Sequence, residues 1–126
     1  RNHSRVSWHF YHPQQKVQLR LAGPATLYTD DALADEQWDN SQLMSRRCYR
    51  ADLGPGTPSD EPTSGLPDFL EGRSPTLDES EAGRKNFVVI AGQVDFLDWY
   101  YLRAKGHRRA QFFWSDTQMS AQWVAP

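Results

Sequence analysis

The sequence predicts a mainly β protein, in which antiparallel strands form a closed or nearly closed barrel and two helices are inserted together between strands. Apolar and polar residues alternate over residues 5–11 and again from Lys16 to Tyr28, which is the period of half-buried strands. The stretch from Phe87 to Leu102 is rich in Val, Ile, Phe, Trp and Tyr, and two shorter strands follow it. Because short turns join several of these strands, the pattern favours an antiparallel barrel over a parallel α/β sheet.

The first two strands are predicted to form a hairpin, because the turn at His12-Pro13-Gln14-Gln15 is too short for a parallel crossover. The second strand has one apolar face and one polar face. Its apolar residues are Val17, Leu19 and Leu21, and its polar residues are Lys16, Gln18 and Arg20. Gly23-Pro24 interrupts the pattern and predicts a bulge or an edge position.

Two helices are predicted between the second and third strands. Thr29-Asp30-Asp31 is a start signal for a helix that runs from Asp31 to about Arg47, with acidic residues at the positive end of its dipole. The second helix is short, and it begins at Thr76, which forms a capping-box pattern with Glu79.

A long loop separates these helices. Residues 51–75 contain five Pro and four Gly, and this composition predicts either a mobile surface excursion or a cover over a functional site. Phe69-Leu70 is the pair expected to anchor the loop to the core. We expect the loop to lie within a single domain that covers residues 1–126.

The most informative region for function is the hairpin formed by the stretch 87–102 and the strand Arg108–Trp114, joined at Lys105-Gly106. Trp99 lies near the end of the first strand, and Arg109 follows ten residues later. Such a hairpin is expected to bring an indole and a guanidinium to one site, with Gln18 and Arg20 beside them. A flat heteroaromatic ligand needs an apolar surface, an amide and a cation, and these residue types meet that need.

Composition excludes several other functions. The net charge of −2 argues against nucleic-acid binding, and the apolar runs are too short to span a membrane. The four His show no metal-ligand spacing, and Cys48 lacks the setting of a catalytic nucleophile, so we predict no metal site. A single cysteine is compatible with a reducing compartment, and we expect a cytoplasmic protein.

Three separated segments resemble the pyridoxamine 5′-phosphate oxidase-like family of FMN-binding split barrels. Gln18-Leu19-Arg20-Leu21-Ala22-Gly23 resembles the strand whose glutamine contacts the flavin in that family. Trp99 and Arg109, the latter within Gly-His-Arg-Arg-Ala, resemble the flavin-contacting Trp and Arg of the family at the same spacing. The closing Trp-Val-Ala-Pro is similar to the family's terminus.

The resemblance implies an antiparallel split β-barrel that forms a homodimer with FMN at the interface. It implies cofactor contacts from Gln18, Trp99 and Arg109, with Arg20 in support. It also implies that Lys105 and His107 meet the substrate, although the family has Arg-Leu-His where this chain has Lys105-Gly106-His107. The substrate is therefore expected to be a small molecule whose identity does not carry over from the family.

A second departure concerns the start of the family domain. There, two further strands and a helix supply an Arg and later a Lys for the FMN phosphate, and nothing here matches them. We therefore expect this chain to be a piece of a longer protein.

Three functional hypotheses remain open. The first is an FMN-dependent oxidoreductase, the second a non-catalytic FMN or pyridoxal-phosphate binding protein on the same fold, and the third a structural dimer without a cofactor.

Overall fold

The computed structural model describes residues 4–126, which form one six-stranded sheet and several short helices. The strands are β1 (Arg5–His12), β2 (Val17–Tyr28), β3 (Val89–Gly92), β4 (Phe96–Tyr101), β5 (Arg108–Trp114) and β6 (Met119–Val124). The α-helices are α1 (Ala32–Asp39), α2 (Leu43–Arg46) and α3 (Leu77–Glu81), and 3-10 turns cover Arg47–Arg50, Asp68–Leu70 and Arg84–Asn86. No helix within residues 4–126 has the length and apolar character needed to cross a bilayer.

The sheet has the strand order β1-β2-β4-β5-β6, and β3 also pairs with β2. The β1–β2, β2–β4, β4–β5 and β5–β6 pairs are all antiparallel, so the predicted mainly β antiparallel architecture is confirmed. In the register, Gln18 lies opposite Tyr100, and Tyr100 lies opposite Arg109. This register decides which side chains share a face of the sheet.

The chain divides into two compact units. One contains residues 4–26 and 90–126, and the other is Leu27–Val89. The first unit holds most of the sheet, and the second holds all of the helices. The prediction of a single domain over the whole chain stays a prediction.

The stretch from Phe87 to Leu102, predicted as one continuous strand, is interrupted in the structure. β3 ends at Gly92 and β4 begins at Phe96. Across the gap, Gln93 N donates to Pro24 O (2.9 Å) and Asp95 N donates to Ala22 O (3.1 Å). Phe96 is also the ladder partner of Ala22, so two consecutive residues oppose one residue of β2, which is the arrangement of a β-bulge. The predicted alternation therefore does not run unbroken through this segment.

The bulge lies beside Gly23, where the sequence predicted a bulge or an edge position. Gly23 is buried, and a Cβ atom at this position would lie 1.8 Å from the carbonyl oxygen of Gln93. Glycine is needed here because the two backbones approach closely, and only a residue without a side chain leaves them room.

The first predicted helix, from Asp31 to Arg47, is broken after Asp39. Its start is as predicted, since the Asp31 side chain accepts a hydrogen bond from Ala34 N at 3.0 Å. At its end, the Arg46 guanidinium donates to the main-chain oxygens of Trp38 (2.8 Å) and Asp39 (3.2 Å). These side-chain bonds satisfy carbonyls that a longer helix would have bonded internally, so α1 stops and α2 begins separately.

The core of the unit Leu27–Val89 is built around Trp38, which is 2% exposed. Its ring makes edge contacts with Tyr49 and Phe87, at centroid distances of 5.7 and 5.3 Å. Leu70 is fully buried, whereas Phe69 is half exposed, so only one residue of the predicted anchor pair fixes the 51–75 loop to the core.

The helix α3 begins with the predicted capping box. Glu79 N donates to Thr76 Oγ1 at 3.3 Å, and Thr76 N donates to the Glu79 carboxylate at 2.8 Å. Arg73 binds the same carboxylate through two nitrogens, at 2.9 and 2.8 Å. The Arg73 hydrogen bonds, followed by that of the Thr76 N–H, lower the pKa of Glu79 from 4.5 to about 2.

This shift makes the stability of the capping box depend on pH. Because the folded-state pKa of Glu79 is depressed, its stabilising contribution is present above pH 4.5 and is lost as the pH falls toward about 2. We expect Glu79→Gln to flatten the pH dependence of the free energy of unfolding in that window, as measured by denaturant titration at several pH values. Asp78→Asn is the control, since it removes a carboxylate from the same turn outside the capping box. Equal pH slopes for Glu79→Gln and the wild type would contradict this prediction.

Candidate functional site

One face of the sheet carries a polar cleft across β2, β4 and β5, with a volume of about 210 Å³. It is lined by Gln18, Arg20, Asp98, Tyr100 and Arg109. These residues share a face because paired residues on neighbouring strands point to the same side of a sheet. Gln18, Tyr100 and Arg109 form one row across the strands, and Arg20 lies opposite Asp98 in the next.

Arg109 is held in the cleft by a bidentate ion pair. Its Nε donates to Asp98 Oδ1 at 2.9 Å, and its Nη2 donates to Asp98 Oδ2 at 2.7 Å. The Asp98 side chain is 7% exposed, while that of Arg109 is 30% exposed. Paired charge-assisted bonds of this kind fix the plane of the guanidinium. The hydrogen bonds to Asp98 also raise the pKa of Arg109 above its ordinary value. The guanidinium also lies over the Tyr100 ring, with its carbon 5.8 Å from the ring centroid.

The cleft presents polar groups that the protein itself does not use. Within residues 4–126, neither the Gln18 amide nor the Arg20 guanidinium forms a hydrogen bond or an ion pair with another side chain or with the backbone. Arg109 likewise has no protein acceptor for Nη1 in the part of the chain that the structure describes. The cleft can therefore offer an amide and two guanidinium edges to a ligand.

The two predicted substrate-binding residues lie in the turn between β4 and β5, outside the residues that line the cleft. The His107 ring is 5.6 Å from the Tyr100 ring, and its Nδ1 accepts a hydrogen bond from Arg103 N at 3.2 Å. Lys105 is exposed in the turn. His107 thus lies next to a residue of the cleft, whereas Lys105 forms no hydrogen bond or ion pair with a cleft residue within residues 4–126.

Trp99 lies on the opposite face of the sheet from the cleft. It pairs with Leu19 and Ala110 in the ladder, and its ring is 6.2 Å from that of Trp123. This apolar face contains a second cavity of about 350 Å³. That cavity is lined by Trp99, Ala110, Phe112, Ala121, Gln122 and Trp123.

The expectation that the hairpin brings Trp99 and Arg109 to one site within a chain is therefore wrong. The reason is the register: Arg109 pairs with Tyr100, one residue beyond Trp99, and successive side chains of a strand point to opposite faces. The structure does bring together Gln18, Arg20 and Arg109. A cofactor contact from Trp99 stays a prediction. It requires a ligand that is not confined to the polar cleft of the same chain.

Asp98 and Tyr100 are site residues that sequence reasoning did not identify. Tyr100 lies between Gln18 and Arg109 in the ladder, and Asp98 binds Arg109 directly. Their positions follow from the pairing of β4 with both neighbours, and the spacing of residues along the chain does not define that pairing.

No protein-family model and no curated protein sequence matches this chain. Two solved structures share its fold. One is a pyridoxamine 5′-phosphate oxidase-related, FMN-binding protein from Nostoc punctiforme PCC 73102, 22% identical with a TM-score of 0.63, matched over 95% of this chain and 62% of that one. The other is PhzG from Burkholderia lata 383, in complex with tetrahydrophenazine-1-carboxylic acid, 13% identical with a TM-score of 0.59, matched over 95% and 58%.

This chain thus spans about three fifths of the length of either protein, 62% and 58%. The match covers nearly all of this chain, and it includes the antiparallel sheet that carries the polar cleft. The chain therefore has the split-barrel fold of the pyridoxamine 5′-phosphate oxidase-related FMN-binding proteins, as the sequence predicted.

Proposed function

We propose that this chain belongs to an FMN-dependent oxidoreductase and holds the flavin ring against the polar cleft. The observation that carries this proposal is the alignment of Gln18, Arg20 and Arg109 on one face of the sheet, each with polar groups that no partner within residues 4–126 occupies. The FMN-binding protein of similar fold supports the choice of cofactor. A cytoplasmic location stays a prediction that rests on cysteine usage.

The chemistry of the cleft suits the polar edge of a flavin ring. That edge carries carbonyl acceptors and an N–H donor, and the Gln18 amide can donate and accept at the same time. The guanidinium groups of Arg20 and Arg109 donate to carbonyl oxygens and place positive charge beside them. When bound, FMN supplies two-electron transfer, and the protein supplies orientation and electrostatics.

The size of the cleft supports a site that is shared between two copies of the chain. Its volume of 210 Å³ is below the range of about 300–1,000 Å³ that is usual for ligand pockets, so it suits only part of a flavin. We therefore propose a homodimer with FMN at the interface. In that arrangement Trp99 would contact a flavin bound in the other copy's cleft, because it faces away from the cleft of its own chain.

Each residue then has a defined task. Gln18 would hold the donor and acceptor edge of the ring, and Arg109 would favour the negative charge that the ring gains on reduction. His107, next to Tyr100, would line the substrate side, with the Lys105 ammonium exposed in the same turn. The substrate is a small molecule.

A binding role without turnover is the second candidate. The five residues that line the cleft include no His, Lys or Cys, and the one carboxylate among them is occupied by Arg109. The second candidate is thus an FMN or pyridoxal-phosphate binding protein. A flavin that binds but is reduced by no amine or nicotinamide donor would favour this second role.

The proposal predicts the effect of removing Arg109. We expect Arg109→Ala to weaken FMN binding about 10–100-fold, which is the worth of one hydrogen bond to a charged group. The measurement is quenching of flavin fluorescence in a titration of the full-length protein. Arg108→Ala is the matched control, since Arg108 carries the same charge and, within the described residues, its side chain donates only to the main-chain oxygens of Gly106 and His107.

Two results would count against the proposal. Equal affinity for FMN in Arg109→Ala and Arg108→Ala would mean that the site is misplaced. A colourless full-length protein that does not bind added FMN would refute the flavin assignment, and it would leave the pyridoxal-phosphate binding protein and the structural dimer as the remaining hypotheses.

A further inference from the structure

Asp98 is the least exposed of the charged groups that line the cleft. It lies opposite Arg20 in the ladder, yet both of its oxygens accept from Arg109. At 7% side-chain exposure it is almost fully removed from solvent. A buried carboxylate is costly unless it is paired and hydrogen-bonded, so its position requires Arg109 to remain in place.

The same strand region contains a second bidentate pair that serves as a comparison. Asp95 accepts two hydrogen bonds of 2.6 Å from Arg5, but the side chains are 34% and 54% exposed. Neither residue lines the polar cleft. Solvent reaches both side chains of the Asp95–Arg5 pair, whereas the Asp98 carboxylate is almost fully shielded from solvent, so its charge is screened less.

The pair with Asp98 determines which donors Arg109 can offer. A guanidinium has five N–H donors in one plane, and Asp98 takes one on Nε and one on Nη2. The three that remain lie on Nη1 and Nη2, and the two bonds to Asp98 prevent the plane from rotating. Without the carboxylate, the arginine side chain would regain its rotamer freedom, and a ligand would have to restrict it again.

The pair also sets the charge of the cleft. The Asp98 carboxylate neutralises the charge of Arg109 locally, and Arg20 is the one cation of the cleft without an ion-pair partner within residues 4–126. Removal of the carboxylate charge would leave two unneutralised guanidinium groups. A ligand that becomes anionic would then be stabilised more than its neutral form.

We propose that Asp98 is a positioning residue that orients Arg109 toward the bound ring and limits the positive charge of the cleft. This inference rests on the proposed function, since it assigns Asp98 a role toward the same flavin. Asp98 does not touch the ligand in this proposal, and it acts through Arg109.

The test compares the full-length protein with Asp98→Asn and Asp95→Asn, using FMN as the probe. We expect Asp98→Asn to weaken the binding of oxidised FMN about tenfold, because Arg109 is no longer held in one orientation. We also expect its flavin midpoint potential to rise, since the more positive cleft favours the reduced, anionic ring. Asp95→Asn should leave both quantities unchanged, because it removes an equivalent carboxylate away from the cleft.

A double-mutant cycle separates positioning from a direct or purely structural effect. If Asp98 positions Arg109, then Asp98→Asn should not weaken FMN binding in the Arg109→Ala background. An effect of the same size in that background would overturn the proposal, as would an unchanged potential in the single variant. Asp98→Glu retains the charge, so it should keep the wild-type potential, and it supplies the test if Asp98→Asn does not fold.

A measurement without cofactor keeps this inference distinct from the flavin assignment. The Nε–H signal of Arg109 in NMR spectra should show restricted guanidinium rotation in the wild type and faster rotation in Asp98→Asn. Equal rotation in the two proteins would refute the positioning role even where FMN binds. Failure of the wild type to bind FMN would refute the proposed function, and the NMR result would still decide whether Asp98 orients Arg109.

Discussion

Replacing Trp38 with Ala is expected to lower the free energy of unfolding of the unit Leu27–Val89 by about 3–5 kcal/mol, the usual cost of deleting a large buried aromatic side chain. Trp38 is 2% exposed, and its ring contacts both Tyr49 and Phe87. The Arg46 guanidinium lies 4.7 Å from the centroid of the same ring. The substitution therefore leaves a cavity and removes the apolar surface on which a buried cation rests.

The substitution also removes a polar contact of this core. The indole Nε1 donates to Glu81 at 3.1 Å, and Arg46 donates to the same carboxylate at 3.0 Å. Arg46 is buried, so any movement of its side chain into the cavity would leave donors and acceptors unsatisfied. This coupling places the expected cost near the upper end of the range for aromatic-to-alanine changes.

Amide hydrogen exchange of residues 27–89 measures this effect within the unit, and denaturant unfolding followed by circular dichroism measures it in the whole chain. Trp38→Phe should cost less, because a ring remains between Tyr49 and Phe87. Leu77→Ala is the control, since this exposed side chain should change stability by no more than about 0.5 kcal/mol. A cost for Trp38→Ala that does not exceed that of Leu77→Ala would contradict the assignment of Trp38 as the centre of the core.

The strands were predictable from the sequence because their signals are local. The alternation over β1 and β2 is a local pattern of apolar and polar residues, and the turn residues between the two strands are adjacent in the chain. The capping box at Thr76 was predictable for the same reason, because both of its hydrogen bonds join residues three positions apart. In each case the residues that determine the structure lie within one segment.

The predictions that were wrong depended on contacts between distant segments. The helix after Asp31 ends early because the side chain of Arg46 returns to cap it. The strand after Phe87 is interrupted because its backbone meets β2 at Gly23. The break of the helix leaves no signal in the hydrophobic pattern, and Gly23-Pro24 marks the bulge on β2 but not the interruption of the strand that faces it, since both events depend on where a remote group lies in the fold.

The candidate site was predicted only in part, because local signals connect some of its residues and long-range pairing connects the others. Gln18 and Arg20 were expected to share a face because they lie two residues apart on one strand. Whether Trp99 or Asp98 joins them depends on the register between β4 and its neighbours, and a shift of one residue exchanges the two faces. The sequence shows that the residue types suit a flat ligand. Which of these side chains share one face of the sheet is known only from the strand register.

Replacing Gly23 with Ala is expected to destabilise the sheet by about 3 kcal/mol, the upper end of the usual cost of overpacking. The added Cβ would lie 1.8 Å from Gln93 O and 2.8 Å from the Gln93 carbonyl carbon. These are backbone atoms, so no rotation of a side chain relieves the contact. The strand β2 or the bulge at residues 93–95 must move instead, and β2 is the strand that carries Gln18 and Arg20.

The substitution Gly92→Ala gives a stringent comparison, because the predicted contact there is equally short. A Cβ at Gly92 would lie 1.8 Å from an atom of the Trp8 ring, but this ring is a side chain and is only partly buried. Rotation of Trp8 can relieve the clash, so the expected cost is about 1 kcal/mol. Gly54→Ala serves as the control without strain, since its Cβ would meet only Thr57 Oγ1, at 3.8 Å.

Denaturant unfolding of the three variants should therefore rank them Gly23→Ala, Gly92→Ala and Gly54→Ala in order of decreasing cost. If Gly92→Ala costs as much as Gly23→Ala, closeness alone determines the effect, and the distinction between backbone and side-chain neighbours is wrong. If Gly23→Ala is tolerated, the close approach of β2 and residues 93–95 is not required for the fold. The register between β2 and β4 that places Asp98 opposite Arg20 would then need a different cause, because the bulge beside Gly23 is the nearest irregularity to the start of β4.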